Sequence, residues 1–141
     1  MTRPVSLIVM APCSYLTANE SGGWSVRYRR VKAWRHAARR AAEAAGLGPL
    51  PYPCRVVATV HRSHNRGRWD ASNWSPTAKA VLDGLVDAGL LPDDSNRYVT
   101  GPDMRAGDGW ADAGIVLTFT LDTTAPDPEP APALATDPLW T

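Results

Sequence analysis

Two cysteines, Cys13 and Cys54, are all that the 141 residues contain. They are too few and too far apart for a disulfide framework or a paired zinc motif, so stability must come from a core, with both residues as ordinary reduced thiols. Long apolar runs are also missing. None approaches the ~20 residues that a membrane-spanning helix needs. The start, Met1-Thr2-Arg3-Pro4 and then Val5 to Met10, lacks the extended apolar centre of a secretory signal. These absences predict a soluble, cytoplasmic protein with no membrane partner. Acidic side chains are scarce in the first half: residues 1–70 hold twelve Lys/Arg against three Asp/Glu, a balance of +9. Residues 71–141 reverse this with three against eleven, a balance of −8, so the net charge of +1 conceals a polarity. A basic surface for a polyanion beside an acidic region follows, and nucleic acid is the simplest polyanion.

A hydrophobic content of 44% suffices for one folded domain, expected over residues 1–122. Val5 to Met10 reads as a first strand between Pro4 and Pro12, and Trp24 to Tyr28 alternates as a short second one. From Arg29 to Ala45 the period changes to that of a helix, with Val31, Trp34, Ala38, Ala41 and Ala45 on one side and Gly46 as the stop. Lys32, Arg35 and Arg39 share another face, either simply solvated or tracking phosphates. Arg55 to His61 is a third strand. It runs into a loop, residues 62–73, where Arg62, Arg66 and Arg68 are interleaved with His64, Asn65 and Trp69, a mixture suited to phosphate contact and base stacking.

Ser75 as N-cap and Pro76 at the first helical position open a second helix, and Gly89 ends it. Its apolar stripe is Ala78, Leu82 and Leu85; Lys79, Asp83 and Asp87 line another face. Arg97 to Thr100 and Ile115 to Leu121 are the last strands, joined by a turn region from Gly101 to Gly114. The order predicted is β-β-α-β-α-β-β, an α+β domain with a small mixed sheet and two helices. Residues 123–141, with proline at nearly every second position and acidic spacers, read as a disordered tail.

The chemistry concentrates between Asp70 and Asp94. Phosphodiester hydrolysis needs a hard cation to polarise the phosphate and acidify an attacking water. Mg²⁺, or Mn²⁺ in its place, takes oxygen ligands and keeps several waters, so one or two carboxylates suffice. Asp70 and Asp94 are the candidate ligands, with Asp93 in support and Lys79 placed to neutralise charge on the phosphate. Helix length sets a condition. From Pro76 to Ala88 it spans about 20 Å at ~1.5 Å per residue, so its two ends cannot touch one metal. The carboxylates must converge by chain return or across a dimer interface.

The run Asp70-x-x-Asn73, Lys79-Ala80, Asp83-Gly84-Leu85, Ala88-Gly89 and Asp93-Asp94 resembles the RusA family of Holliday-junction resolvases. The likeness is close over some 35 residues, with looser support from Pro12-x-Ser14, Asn19 and the strand ending at His61. It implies a RusA-like fold and a Mg²⁺-dependent endonuclease of bacterial or phage-infected cells. It also implies a homodimer acting on branched DNA, especially four-way junctions, with Asp70, Lys79 and Asp94 catalytic. Arg35, Arg39, Arg62, Arg66 and Arg68 would bind DNA, with Ser72, Asn73 and Asp83 supporting the site. Many members carry Asp-x-Asp-Asn, whereas this chain has Ser72 at the second aspartate, which removes a charge from the metal site. The chain also inserts Ser75-Pro76-Thr77 before the lysine. A branched-DNA-binding protein with weakened or no cleavage is therefore the alternative. Zinc binding by His61, His64 and a cysteine is a third reading, disfavoured because the paired spacing is missing.

Overall fold

A computed structural model describes residues 3–19, 23–63 and 67–122. Among them are β1 (Val5–Met10), α1 (Trp24–Ala44), β2 (Cys54–His61), a 3₁₀ turn (Ala71–Trp74), α2 (Ser75–Asp87), β3 (Val99–Ala106) and β4 (Gly114–Leu121). The four strands form one sheet in the order β1-β4-β2-β3. β4 is antiparallel to both β1 and β2, whereas β2 and β3 are parallel. The α+β class with a small mixed sheet and two helices is therefore as the sequence predicts.

Period-two burial explains why the helices lie where they do. Leu7 and Val9 of β1, Val56, Ala58 and Val60 of β2, and Ile115, Leu117 and Phe119 of β4 point to one side and are buried. Trp34, Ala38 and Ala42 of α1 and Ala78, Val81, Leu82 and Leu85 of α2 join them in one core. On the opposite sheet face Ile8 and Met10 remain exposed. A parallel pair cannot be closed by a tight turn, so β2 and β3 require a crossover, and α2 supplies it.

The two helices meet at Gly84. A Cβ built there would run into the backbone carbonyl oxygen of Arg35 and come within 2.9 Å of Ala38 Cβ. A mid-helix glycine ordinarily costs ~1 kcal/mol relative to alanine, and here it lets one helix backbone approach the other. Both helices end in the same way. Gly46 and Gly89 have φ of +66° and +84°. Leu47 donates to Ala42 O and Leu90 to Leu85 O, which closes each last turn.

Three expectations need correction. The segment Trp24–Tyr28 is the start of α1 rather than a strand, so the order is β-α-β-α-β-β. Its apparent alternation arises from Trp24 and Tyr28, four residues apart on one helical ridge and stacked on each other. The strand expected at Arg97–Thr100 begins at Val99 and continues to Ala106, through residues assigned to a turn. It passes the Gly101-Pro102 interruption because the pairing shifts there, β3 advancing from Thr100 to Asp103 while β2 advances from Arg55 to Val57, and because Gly101 has φ of +113°. Finally, Ser75 is the first residue of α2 and Trp74 its cap. Residues 71–74 already turn and run straight into the helix. The tail from Thr123 lies outside the described residues.

Candidate functional site

α2 divides its residues cleanly. Thr77, Ala78, Ala80, Val81, Leu82, Gly84 and Leu85 are buried, while Lys79 is exposed and Asp83 partly so. Lys79 Nζ lies 3.3 Å from Asp83 Oδ1, one turn further along the helix. It also pairs with Asp94 Oδ2. That oxygen is buried, and the Asp94 side chain is only 19% exposed against 59% for Lys79. One ammonium thus stands between two carboxylates.

This pairing shows the chain doubling back along α2 as far as Lys79; it brings Asp94 to the lysine and not to Asp70. From Ala88 back to Lys79 is about 13 Å along the helix at ~1.5 Å per residue. The six residues from Gly89 to Asp94 reach ~20 Å when extended, enough to double back alongside. Burial of Leu90 and Leu91 holds the return in place. The Lys79–Asp94 part of the site is therefore completed within a single chain. Asp93 Oδ1 accepts from the Asp94 amide at 2.7 Å, so Asp93 shapes the turn that presents Asp94.

Asp70 caps the 3₁₀ turn that leads into α2, and so belongs to the N-terminal end of that helix. Its Oδ1 accepts from the Ser72 amide at 3.0 Å. The carboxyl is exposed and held below its usual range, first by that backbone donor and then by the Ser72 hydroxyl. Ser72 thus donates to the carboxylate and favours its charged form. Asn73 donates its amide to Asp70 O and accepts through its own carbonyl from Ala18, joining the loop after β1 to this turn.

Thr77 is a residue that sequence reasoning missed. It is fully buried, its Oγ1 donates to Leu16 O at 2.7 Å, and it accepts from Leu16 N at 2.8 Å. Thr77 therefore pins the Pro12-to-Asn19 loop to α2. A hydroxyl at a position flanked by the apolar stripe was the available signal.

The arginines fall into different environments. Arg35 makes a bidentate pair with Asp87, at 2.5 and 2.8 Å, that bridges the two helices. Arg39 pairs with Glu43 at 3.0 Å. Arg62 lies with its guanidinium carbon 4.2 Å from the Trp69 ring centroid and 5.9 Å from that of Trp74. Those indoles pack edge to face, and Trp74 also meets Tyr15, which stacks on Trp34. Arg62 therefore anchors an aromatic row beside the loop. Arg68 is exposed, and Arg66 lies outside the described residues.

His61 stacks on Trp110 with centroids 3.7 Å apart, and its Nδ1 lies 2.8 Å from Asp108 O. His64 lies outside the described residues. Cys13 and Cys54 are not joined in a disulfide, and both thiols are pushed up in pKa by burial, Cys54 to about 11. Among the described residues no three His, Cys, Asp or Glu come together as a metal-holding group. No helix of the described residues is long and apolar enough to cross a membrane. The chain matches no protein-family model and no curated protein.

Proposed function

We propose that this protein is a Mg²⁺-dependent endodeoxyribonuclease that cuts branched DNA, four-way junctions above all, by paired hydrolysis of phosphodiesters. The observation that carries the reading is the return of the chain after α2, which seats Asp94 against Lys79. Asp70 at the N-terminal end of the same helix supplies a second carboxylate.

The donors are hard oxygens, the type that Mg²⁺ takes, and two carboxylates suffice because this ion keeps several waters. Asp70 and Asp94 would hold it. Its chemistry there would be to polarise the phosphate and acidify a water. Lys79 is exposed enough to reach a bound phosphodiester, and its ammonium donates to a non-bridging oxygen as negative charge develops. Asp83 limits the wandering of the lysine, and Asp93 fixes the backbone that carries Asp94. A homodimer would set two such sites on opposed strands, since a four-way junction and an isologous dimer share two-fold symmetry.

The second reading is a branched-DNA-binding protein that cleaves weakly or not at all. Two observations favour it: Lys79 already neutralises Asp94, and Ser72 stands in place of a further carboxylate. Incubation of an end-labelled synthetic four-way junction with and without Mg²⁺ separates the two. Symmetric nicks that vanish with Asp94→Asn support the enzyme. Salt-sensitive binding without nicks at any Mg²⁺ or Mn²⁺ concentration supports the binding protein.

A further inference from the structure

The first two turns of α1 contribute nothing to the core. From Trp24 to Arg30 every side chain is exposed or partly exposed, and the buried series begins only at Trp34. Yet this stretch carries two large aromatics. Trp24 is 79% exposed and Tyr28 50%. They stack with centroids 5.4 Å apart and planes 10° from parallel, and Lys32 Nζ lies 5.4 Å over the Tyr28 ring. Trp24, Tyr28 and Lys32 follow one another at four-residue steps, so they form a single ridge along the helix. An open groove runs beside it, lined by Trp24, Arg27, Tyr28 and Val31.

Charge selects the occupant of this surface. α1 carries seven Lys/Arg and a single acid, Glu43, which lies in its last turn and pairs with Arg39. An uncharged apolar partner would gain nothing from such a field, and a second copy would bring like charges together. A flexible polyanion with aromatic faces meets both requirements. Base stacking on aromatics with the backbone tracked by cations is how single strands are held irrespective of sequence. We propose that the Trp24–Tyr28 stack is a platform for unpaired bases of single-stranded DNA, with Lys32 and its basic neighbours on the phosphates. The outer indole face of Trp24 takes the base, and Tyr28, braced by Lys32, fixes the indole from behind. The platform deepens the nuclease reading and rests on it only for the branched substrate, where it would engage bases unstacked at the branch.

The test uses the full chain in EDTA, so that binding is read without cleavage. Fluorescein-labelled oligothymidine of twenty nucleotides and a blunt duplex of equal length are titrated, with anisotropy as the readout. Trp24→Ala/Tyr28→Ala is expected to weaken single-strand binding by about tenfold or more. Duplex binding should stay within about threefold, because the phosphate contacts remain. Trp24→Phe/Tyr28→Phe should restore most of the loss, and thermal melting should be unchanged because neither ring is part of the core. Wild-type affinity of the alanine variant for oligothymidine would overturn the proposal. So would equal losses on single strand and duplex. Sedimentation in which only the alanine variant is monomeric, with oligothymidine binding intact, would assign the face to a second copy instead. Failure of the protein to nick any junction would remove the nuclease reading and leave this result standing.

Discussion

The Thr77 hydroxyl satisfies both backbone polar groups of Leu16, donating to its carbonyl and accepting from its amide. Leu16 and Thr77 are both fully buried, so water cannot substitute for either bond. Thr77→Val keeps the shape and removes both partners. It is expected to cost about 2–4 kcal/mol, the desolvation penalty of two orphaned groups. Thr77→Ser should cost much less. Urea unfolding of the two variants checks this, and equal midpoints would refute the assignment.

Gly84→Ala sets two effects against each other. Alanine favours a helix interior by ~1 kcal/mol over glycine. The new methyl, however, meets a backbone carbonyl of α1, which cannot move aside as a flexible side chain would. Overpacking of this kind typically costs 1–3 kcal/mol. Net destabilisation is therefore expected, by about 1–2 kcal/mol, measured by chemical denaturation.

On the nuclease reading, Lys79→Ala and Asp94→Asn should each lower junction nicking by roughly a hundredfold or more, the loss typical of a removed charge-stabilising group. Lys79→Ala also leaves the buried Asp94 oxygen without its ion-pair partner, so its melting temperature should fall, whereas Asp94→Asn removes that charge. Single-turnover cleavage read beside a thermal melt separates loss of chemistry from loss of fold.

Arg35 and Arg68 should behave differently on DNA. Arg35 is held by Asp87, whose carboxyl it pulls below its usual range. That pair contributes when pH lies above the ordinary aspartate pKa and is lost as pH falls through the depressed value. A double-mutant cycle with Asp87→Asn should give ~0.5–1 kcal/mol at neutral pH. Arg68→Ala should leave stability alone and reduce the salt slope of junction binding by ~0.9. A stability loss for Arg68→Ala without a change of slope would sink its assignment to phosphate.

Burial pushes the Tyr15 phenol up to about 12. A raised acid pKa gives stability that is whole below the unfolded value and drains away as pH rises through the folded one. Its hydroxyl lies 2.8 and 2.7 Å from the carbonyls of His61 and Gly114. Alkaline unfolding between pH 10 and about 12 should therefore flatten in Tyr15→Phe, as followed by circular dichroism.

Local signals in the sequence locate most elements because they act within a few residues. Prolines bracket β1, and glycines at 46 and 89 end the helices by taking positive φ. The charged face of α2 is legible from spacing alone. Contacts made across the fold leave no such trace. Nothing near Lys79 in sequence announces that Asp94 returns to it, since that goes with burial of Leu90 and Leu91 in the core of the whole fold. Arg35 looks like a phosphate contact until α1 is packed on α2 and Asp87 arrives beside it. Trp24 and Tyr28 mislead for a related reason: aromatics suit strands by propensity, and only their mutual stacking on a helical ridge shows otherwise.

The crossover between β2 and β3 contains every carboxylate and the lysine of the candidate site, from Asp70 to Asp94. The candidate site is thus one uninterrupted segment of the chain, mounted on a sheet whose strands carry none of its candidate residues. On the nuclease reading, exchange of residues within this segment, as at Ser72, would retune metal affinity while the scaffold stays as it is. Its geometry nonetheless belongs to the whole fold, since Thr77 is tied to Leu16 and Leu90 and Leu91 sit in the common core.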